Sequence, residues 1–493
     1  MPHTLPIPVP EDQNYVYPVS QLEAVKPLIE TKITHPALII PSRLTSKVQN
    51  SLKQILMNKP KLRDVYNLLP EDAHPDASID PKMERKVALT DHHESYPDIY
   101  KHPSIQELLD DPSIPTIRKS KHDVILGYEH YAVDQVLAKI LPKDFSEIPS
   151  SFEVIGNLAH ITLREEYYPY KWIIGRTILD KNRGIKVVVN KIGTIQNEFR
   201  TFPMEILADD RKNAPKRGNG SLGLVVEVKE DGCRFQLDFE KVYWNSRLQY
   251  EHRRIVHLIA GKTRPTNVKK RADGKKKKEG ISGELLVQDT KNEEMIVVAD
   301  ACAGIGPFAV PLTSQFNNVE VYANDLNPVS YQYLQSNAKL NKCGKRLHTF
   351  NMDGRDFLRK LDNEGIKYDH VLMNLPAIAP EFLNVFSGWK GDYSHRPMIH
   401  VHCFASKVGG DIEAVKRCGR SLGCNLDMVK DEVSVHEVRN VSPKKNMYCV
   451  SFRLPEGVTD AKRVEEFGAI IAEDHGEEGV EDDEHVAKKS RTS

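Results

Sequence analysis

The stretch VVADACAGIGPFAVPL, residues 297–312, decides the fold, because it runs from an apolar strand through a glycine turn into a helix. After it, apolar segments of strand length alternate with helical patterns as far as residue 454. This alternation predicts an α/β fold with a mostly parallel, doubly wound sheet covered by helices on both faces. The helical pattern before it, RLQYEHRRIVHLIAG, is expected to end at Gly261.

Composition shifts divide the chain into five segments. Residues 1–35 form a proline-rich extension, and residues 36–149 form a mixed, helix-rich region. Short strand patterns between turn residues indicate a strand-rich α+β domain at 150–250. The doubly wound domain is expected to take residues 251–457, with a lysine-rich loop inserted at 263–280, and an acidic, disordered tail is expected at 458–493.

The composition is that of an ordinary soluble globular protein, with 69 basic and 69 acidic side chains among 493 residues. No apolar run approaches the roughly 20 residues that span a bilayer, so no membrane contact is expected. The seven cysteines contain no C-x-x-C pair, which favours a reducing compartment. The N-terminus resembles neither a signal peptide nor a standard matrix-targeting helix.

The glycine turn is compatible with two kinds of ligand. Gly304, Gly306 and Ala309 fit the G-x-G-x-x-A pattern of dinucleotide sites, and an acid follows at Asp325. However, Pro307 removes an N–H that could bind a phosphate. A carboxylate at Asp300 would also repel a pyrophosphate, whereas it suits a cationic ligand.

S-adenosylmethionine is such a ligand, because it carries an ammonium and a sulfonium group and no phosphate. An acid after the second strand, Asp325, suits its ribose hydroxyls, and Asp353 after the third strand can reach its adenine. A nicotinamide oxidoreductase is the alternative that these residues leave open.

Two further segments carry residues suited to chemistry. In MNLPAIAPEF, residues 373–382, an Asn-x-Pro turn can aim the oxygen of Asn374 at a planar nitrogen donor, as enzymes that methylate a base nitrogen require. In KVYWNSRLQYEHRRI, Glu251 lies at a helix N-terminus, which stabilises it as an anion that could accept a proton. The N1 proton of guanine is a suitable proton, and an arginine near O6 would stabilise the charge left there. The plainer interpretation makes Glu251 only an i,i+3 partner of Arg254.

Together these motifs resemble the archaeal and eukaryotic tRNA (guanine-N1)-methyltransferases, which modify the guanosine at position 37, on the 3′ side of the anticodon. The resemblance covers roughly residues 150–455. It is carried by FRTFPMEILA, CRFQLDFEKVYWNSRLQYEHRRI, DACAGIGPFAVP, ANDLNP, MDGRDF and MNLPAIAPEFL. Ser246 stands where relatives often have proline, and residues 211–220 and 263–280 are insertions.

The resemblance implies a class I, Rossmann-like methyltransferase domain after a strand-rich domain, and an N-terminal region that reads the outer corner of tRNA. It implies that Glu251 is the general base and that Arg200 stabilises O6, with Asn374 also in the catalytic set. The expected cofactor-binding residues are Tyr243, His252, Asp300, Gly304, Gly306, Asp325, Leu326, Asp353, Gly354, Asn374 and Pro376.

The same resemblance implies S-adenosylmethionine as cofactor, tRNA as partner, no metal, a monomer, and a role in maintaining the reading frame. Relatives work in the cytoplasm, the nucleus and the mitochondrial matrix, so all three compartments are expected. Basic segments at 211–218 and 269–278 could follow RNA phosphates. Two alternatives remain open at this point: a catalytically silent RNA-binding subunit, and a methyltransferase acting on another nitrogen in nucleic acid or protein.

Overall fold

The computed structural model describes residues 22–458, except 24, 60, 73–80, 113, 115–116, 194–198, 213–220, 262–293, 388, 390–394 and 457. The inserted loop at 263–280, the basic segment at 269–278, most of the segment at 211–218, most of the N-terminal extension and nearly all of the acidic tail therefore lie outside the described residues. The chain divides into two compact units. One comprises Met1–Ile192 with Met204–Asn219, and the other comprises Gly193–Pro203 with Gly220–Ser493.

The first unit begins with a four-stranded antiparallel sheet. Its strands are β1 (Thr31–Pro41), β2 (Val65–Tyr66), β3 (Glu84–Ala88) and β4 (Arg118–Leu126), in the order β2-β3-β1-β4. Helices α1 (Thr45–Ser51) and α2 (Pro103–Asp110) accompany it. The helix-rich character predicted for this region is therefore incomplete. Burial alternates over only part of β1, whereas it alternates throughout β4, but β4 carries only polar residues at 118–123, so neither segment has the apolar alternation that predicts a strand.

The first unit also contains a second four-stranded sheet. It consists of β5 (Glu153–Ile155), β6 (Leu158–Ile161), β7 (Val187–Lys191) and β8 (Met204–Asp209), in sequential order. Helices α3 (Val133–Ile140) and α4 (Lys171–Lys181) share its apolar core. A Cβ atom at Gly175 would lie 2.3 Å from the Cβ of Leu207, so only glycine permits this close approach of α4 to β8.

The second unit starts with a hairpin, β9 (Val225–Glu230) and β10 (Cys233–Asp238), followed by helix α5 (Gln249–Ala260). As predicted, α5 ends at Gly261, whose positive φ of 63° suits a glycine cap. The central elements follow in chain order as β11 (Ile296–Asp300), α6 (Ala309–Gln315), β12 (Val319–Asn324), α7 (Pro328–Leu340), β13 (Leu347–Phe350), α8 (Gly354–Asn363) and β14 (His370–Met373). The last elements are β15 (Met398–Ser406), α9 (Gly410–Leu422), β16 (Ser434–Asn440) and β17 (Lys445–Arg453).

These strands form one seven-stranded sheet in the order β13-β12-β11-β14-β15-β17-β16. The first five strands in this order are parallel, and β17 runs antiparallel to both of its neighbours. The prediction of a mostly parallel, doubly wound sheet is confirmed. Among the described residues, no helix combines the length and apolar character that crossing a bilayer requires.

Both units also contain short 3-10 helices. They lie at Lys26–Ile29, Ser42–Leu44, Pro70–Asp72, Pro81–Met83, Ile99–Lys101, Tyr128–His130, Glu165–Tyr170, Ser246–Leu248, Gly344–Arg346 and Ala379–Phe386.

The hairpin β9–β10 belongs to the unit of the seven-stranded sheet, although the sequence-based boundary placed it in the preceding domain. The reason lies in two asparagines, one in α7 and one that caps its C-terminus. The side chain of Asn337 bonds both the amide and the carbonyl of Gln236, at 2.8 and 3.1 Å. Asn341 bonds Arg234 in the same way, at 2.9 and 2.6 Å. Strand β10 therefore pairs with β9 on one side and is held on the other by these two asparagine side chains.

Candidate active site

A cavity of about 400 Å³ lies in the second unit, at the carboxyl ends of the parallel strands. This is the edge where open α/β sheets bind ligands. Its walls come from the turns after β11, β12, β13 and β14, from Phe199 and Arg200, from residues 243–248 and from the β16–β17 hairpin. Sequence-predicted site residues in its lining are Arg200, Tyr243, Gly304, Asp325, Leu326, Asp353, Gly354, Asn374 and Pro376. Glu251, His252, Asp300 and Gly306 are absent from the lining.

The two glycines of the turn after β11 have different surroundings. Gly304 has a φ of 56°, and a Cβ atom there would meet nothing within 4 Å, so its backbone faces open space in the cavity. Gly306 has a φ of 98°, and a Cβ atom there would lie 2.7 Å from Val310 and 2.8 Å from Leu334. Gly306 therefore allows close packing of the turn on α6 and α7 and does not line the cavity.

Asp325 follows β12 and joins two turns at the cavity. One carboxylate oxygen accepts a hydrogen bond from the amide of Gly304 at 2.8 Å, and the other accepts from the amide of Asn327 at 2.9 Å. Burial raises the pKa of this carboxyl above its ordinary value, while the two amides oppose that rise. The neighbouring side chain of Leu326 is 45% exposed and offers an apolar surface to a ligand.

Asp353 caps the N-terminus of α8 by accepting a hydrogen bond from the amide of Arg355 at 2.8 Å. The Arg355 guanidinium also bonds the carboxylate, at 3.1 and 3.2 Å, and it holds the pKa of Asp353 below its ordinary value. The guanidinium lies 5.1 Å from the ring centroid of Phe382, which also lines the cavity. At Gly354, a Cβ atom would lie 3.1 Å from the carbonyl oxygen of Ala301, so a larger residue would crowd the turn after β11.

Asn374 is the first residue after β14. Its side-chain oxygen is buried and accepts no hydrogen bond from any described residue. Such an oxygen is an unused acceptor at the wall of the cavity, because buried polar atoms ordinarily have partners. The following turn is fixed by Pro376, whose carbonyl accepts a hydrogen bond from the amide of Phe404 at 3.1 Å.

Arg200 reaches the cavity from a segment that precedes the sheet by almost a hundred residues. Its backbone has a left-handed φ of 59°, which is uncommon outside glycine. Its guanidinium lies 5.3 Å from the ring centroid of Tyr243, in a cation–π contact across the cavity lining. The motif FRTFPMEILA identified Arg200 by resemblance, but nothing in the sequence around Arg200 predicts its contact with Tyr243.

Glu251 is 4% exposed and lies one helical turn beyond Leu248, which lines the cavity. Arg254 bonds both carboxylate oxygens, at 2.6 and 2.7 Å, so the expected i,i+3 pair is present, although on a buried part of the helix. His402 bonds one of the same oxygens at 2.8 Å. Burial by itself raises the pKa of Glu251, but Arg254 and His402 outweigh it and lower the pKa to about 2. The carboxylate is therefore ionised at neutral pH.

His252 and Asp300 lie away from the cavity for different reasons. The imidazole Nδ1 of His252 pairs with Oε1 of Glu230 at 2.6 Å, and its ring meets Phe308 edge to face. Asp300 has no exposed surface, and neither carboxyl oxygen has a hydrogen-bond partner among the described residues. Burial, aided by the charge of Asp325, raises the pKa of Asp300 to about 8. A neutral carboxyl at this position does not supply the repulsion of pyrophosphate that the sequence argument assigned to it.

The donor atoms of Glu251, His402 and Cys449 lie within 4.8 Å of one another, an arrangement of metal-ligand residue types. The guanidinium of Arg254 already lies against both oxygens of Glu251, and its positive charge opposes a second cation there. The absence of a metal requirement remains a prediction.

Several functional candidates escaped the sequence argument. Asn245, Arg355, Phe382, Arg439 and Met447 line the cavity from the preceding turn, from α8 and its neighbours, and from the β16–β17 hairpin. His402 was missed although a signal exists: MIHVHCFA places histidines at alternate positions of an otherwise apolar strand. Polar residues in a buried strand indicate specific partners.

A second cavity shares Phe404 with the first and has a volume of about 470 Å³. Arg417, Lys444 and Lys445 line it together with Glu413. The carboxylate of Glu413 accepts hydrogen bonds from both the amide and the hydroxyl of Ser406, which help to hold its pKa below the ordinary value, and Arg417 pairs with Glu381 at 2.6 Å. Lys444 and Lys445 leave an excess of positive charge, which suits an anionic group beside the candidate active site.

Comparisons with known proteins agree with this geometry. A model of the TRM5/TYW2 methyltransferase domain matches residues 282–437, and one of the TYW2 N-terminal domain matches residues 133–211. The tRNA (guanine(37)-N(1))-methyltransferase 1 of Phaeodactylum tricornutum is 44% identical, with 85% of each chain covered. The corresponding protein of Phytophthora infestans is 38% identical, with 88% of this chain and 93% of that protein covered.

The fold is also found in a solved complex of aTrm5 with tRNALeu. That protein is 18% identical over 85% of this chain and 99% of its own, with a TM-score of 0.53. With the two relatives above, the chain belongs to the tRNA (guanine(37)-N1)-methyltransferase family.

Proposed function

We propose that this chain methylates N1 of guanosine-37 in tRNA, with Glu251 as general base and Arg200 as the group that stabilises O6. As a member of its family the chain is a methyltransferase with S-adenosylmethionine as cofactor. The observation that carries the assignment of Arg200 is the cavity that it lines together with Asp325, Asp353 and Asn374.

The residues of the cavity fit this cofactor. The open backbone at Gly304 and the adjacent carboxylate of Asp325 suit a ribose, whose hydroxyls donate to a carboxylate. Asp353 and Gly354 lie at the next strand end, where they can hold an adenine, with Leu326 and Phe382 as apolar walls. When bound, S-adenosylmethionine supplies a methyl group from a positively charged sulfur, so that replacing the N1 proton by this methyl group leaves neutral products and one proton.

The target base is assigned to the part of the cavity between Arg200 and Asn374. The unused oxygen of Asn374 can accept a hydrogen bond from the exocyclic amine of guanine, which orients the base. The Arg200 guanidinium can donate to O6 as negative charge develops there. An extruded base would leave the anticodon-loop stack to enter this space.

Glu251 is assigned the N1 proton because it is an ionised carboxylate three residues beyond Leu248, which lines the cavity. Its oxygen Oε2 bonds Arg254 at 2.6 Å, and His436 lies 3.7 Å away. The Arg254 side chain is 29% exposed and can move, which would free Oε2 to accept a proton. We therefore propose that Arg254 gives up this bond when the guanosine enters.

The basic second cavity supports an RNA partner. Lys444, Lys445 and Arg417 line a cavity that shares Phe404 with the candidate active site, so they could neutralise a phosphate that flanks the target base. We further propose that the N-terminal unit contacts the outer corner of tRNA, that the protein acts as a monomer, and that its product helps to maintain the reading frame. Cytoplasm, nucleus and mitochondrial matrix are the proposed compartments.

The decisive experiment measures methyl transfer from labelled cofactor to an unmodified tRNA transcript with guanosine at position 37, and to its adenosine variant. Label in 1-methylguanosine of the first transcript alone is expected. Label in another nitrogen of RNA or protein would support a different substrate, and cofactor binding without transfer would support a silent RNA-binding subunit.

A separate variant tests the assignment of Glu251 as general base. Glu251→Gln is expected to slow single-turnover methylation by ~10²–10⁴-fold while cofactor binding persists. An unchanged rate would remove Glu251 from the base role.

A further inference from the structure

A buried ion pair joins helix α5 to the middle of the sheet. The Nε2 atom of His402 lies 2.8 Å from Oε1 of Glu251, and the two side chains are 0% and 3% exposed. His402 lies on β15, where it pairs with Cys449 of the antiparallel strand β17. The contact joins residues that are 151 positions apart in the chain.

Charged and titratable groups surround this pair from five elements, one of which is β15 itself, where His400 lies two residues from His402. Arg254 on α5 holds both oxygens of Glu251, and His436 on β16 lies 3.7 Å from one of them. Cys449 on β17 lies beside His402. Asp300 at the end of β11 is close enough for its pKa to be influenced by His402.

We infer that His402 is a positioning residue, which holds Glu251 in place as an anion while Arg254 is exchanged for the substrate. This inference rests on the proposed role of Glu251 as general base. It assigns different functions to the two partners, because only one of them is free to move.

The two partners of Glu251 differ in solvent exposure. The Arg254 side chain is 29% exposed and can swing towards solvent. The His402 ring has no exposed surface, and it stacks near Phe308 with ring centroids 6.1 Å apart. If Arg254 leaves, Oε2 is freed while Oε1 keeps its bond to His402, so the carboxylate stays oriented.

The charge of His402 is as important as its position. Burial by itself would lower the pKa of this imidazole, but Cys449 and Glu251 raise it to about 10. A protonated ring compensates the cost of burying the carboxylate once Arg254 is displaced. Without that charge, burial would favour the protonated form of Glu251, which cannot accept a proton.

Two substitutions separate the hydrogen bond from the charge. His402→Gln keeps an N–H that can reach Glu251 but is neutral, whereas His402→Met removes both. In both variants, the pH below which the single-turnover rate falls is expected to lie about one to three pH units higher than in the wild type. The rate loss at pH 7 is expected to be larger for His402→Met, and cofactor affinity should be unchanged.

His400→Gln is the matched control. His400 lies two residues away on the same strand, is 1% exposed and bonds Ser451 at 2.8 Å, but it makes no hydrogen bond with Glu251. Its variant tests for general disturbance of β15 and is expected to keep the pH profile of the wild type. The same shift in this control would overturn the specific role of His402.

A double variant distinguishes positioning from structural support. If His402 acts through Glu251, adding His402→Gln to Glu251→Gln should slow the reaction no further. A further loss that multiplies with the first, or an unshifted pH profile in His402→Gln, would overturn the inference while leaving the base assignment intact. A wild-type rate for Glu251→Gln would overturn the proposed function itself.

A measurement on the unchanged protein covers the case in which these variants do not fold. Nitrogen-15 NMR of labelled histidines in the wild-type protein is expected to show one buried ring that is doubly protonated at pH 8. If only neutral rings are found among the buried histidines at that pH, the inference is wrong.

Discussion

The carboxylate of Asp325 accepts a hydrogen bond from the amide of Gly304 at 2.8 Å. This bond ties the acid after the second parallel strand to the glycine turn after the first strand. It keeps the carboxylate of Asp325 at the cavity wall. Among the described residues, no cation forms an ion pair with this carboxylate. A ligand hydroxyl can therefore bind to a carboxylate that is already oriented.

Asp325→Asn should weaken S-adenosylmethionine binding by about ten- to a hundredfold, since a hydrogen bond to a charged group contributes about 1.5–3 kcal/mol. Titration calorimetry measures the change. Glu320→Gln, on the strand that precedes Asp325, is the control, because Glu320 pairs with His348 and does not line the cavity. Equal affinity of Asp325→Asn and the wild type would contradict the ribose assignment.

Arg200→Met should lower the single-turnover rate by ~10²–10³-fold, the usual effect of removing one donor to a developing oxyanion. Cofactor affinity should change little, because the proposed contact is with O6 of the base. Arg253→Met is the matched control, since Arg253 is 56% exposed and pairs with Asp231 at 3.8 Å. A loss confined to cofactor affinity would assign Arg200 to the cofactor instead.

Replacing Lys444 and Lys445 together by glutamine should weaken tRNA binding and lower the slope of log affinity against log salt by about 2, which is about 1 for each lost phosphate contact. Filter binding over a range of salt concentrations gives the slope. Lys339→Gln, an exposed lysine of α7 outside both cavities, should leave it unchanged. An unchanged slope in the double variant would place the RNA elsewhere.

Asp300→Asn should change how stability depends on pH. The folded-state pKa of Asp300 is raised to about 8 by burial, whereas an unfolded aspartate titrates near 3.9. Between these values the folded state holds a proton that the unfolded state has lost, so the stability of the wild type falls as pH rises. The neutral amide of the variant does not titrate, so it removes the contribution of this residue to the pH dependence of stability.

The comparison for Asp300→Asn is made by urea unfolding at pH 5, 6.5 and 8. The free energy of unfolding of the variant, relative to that of the wild type, should increase steadily across this series. Parallel pH dependences in the two proteins would mean that Asp300 is already ionised when folded.

The sequence predicted the second unit well because its pattern is local and periodic. Each apolar segment was read as a strand and each following helical pattern as its crossover, and the acids at Asp325 and Asp353 were placed at successive strand ends. Parallel strands bring these ends to one edge of the sheet, so their meeting in one cavity follows from topology. In the first unit, β1 and β4 lack an alternation of apolar and polar residues in sequence, although burial alternates along β4, so the sequence does not predict this sheet.

By itself, then, the sequence determined the doubly wound sheet, the glycine turn and the ring of strand-end residues that includes Asn374. Packing between distant elements, by contrast, brings Arg200 to this cavity, leaves Asp300 and His252 buried outside its lining, and pairs Glu251 with His402. These are contacts between residues far apart in the chain. They depend on how helices and strands pack, and no local period of hydrophobic residues encodes that packing.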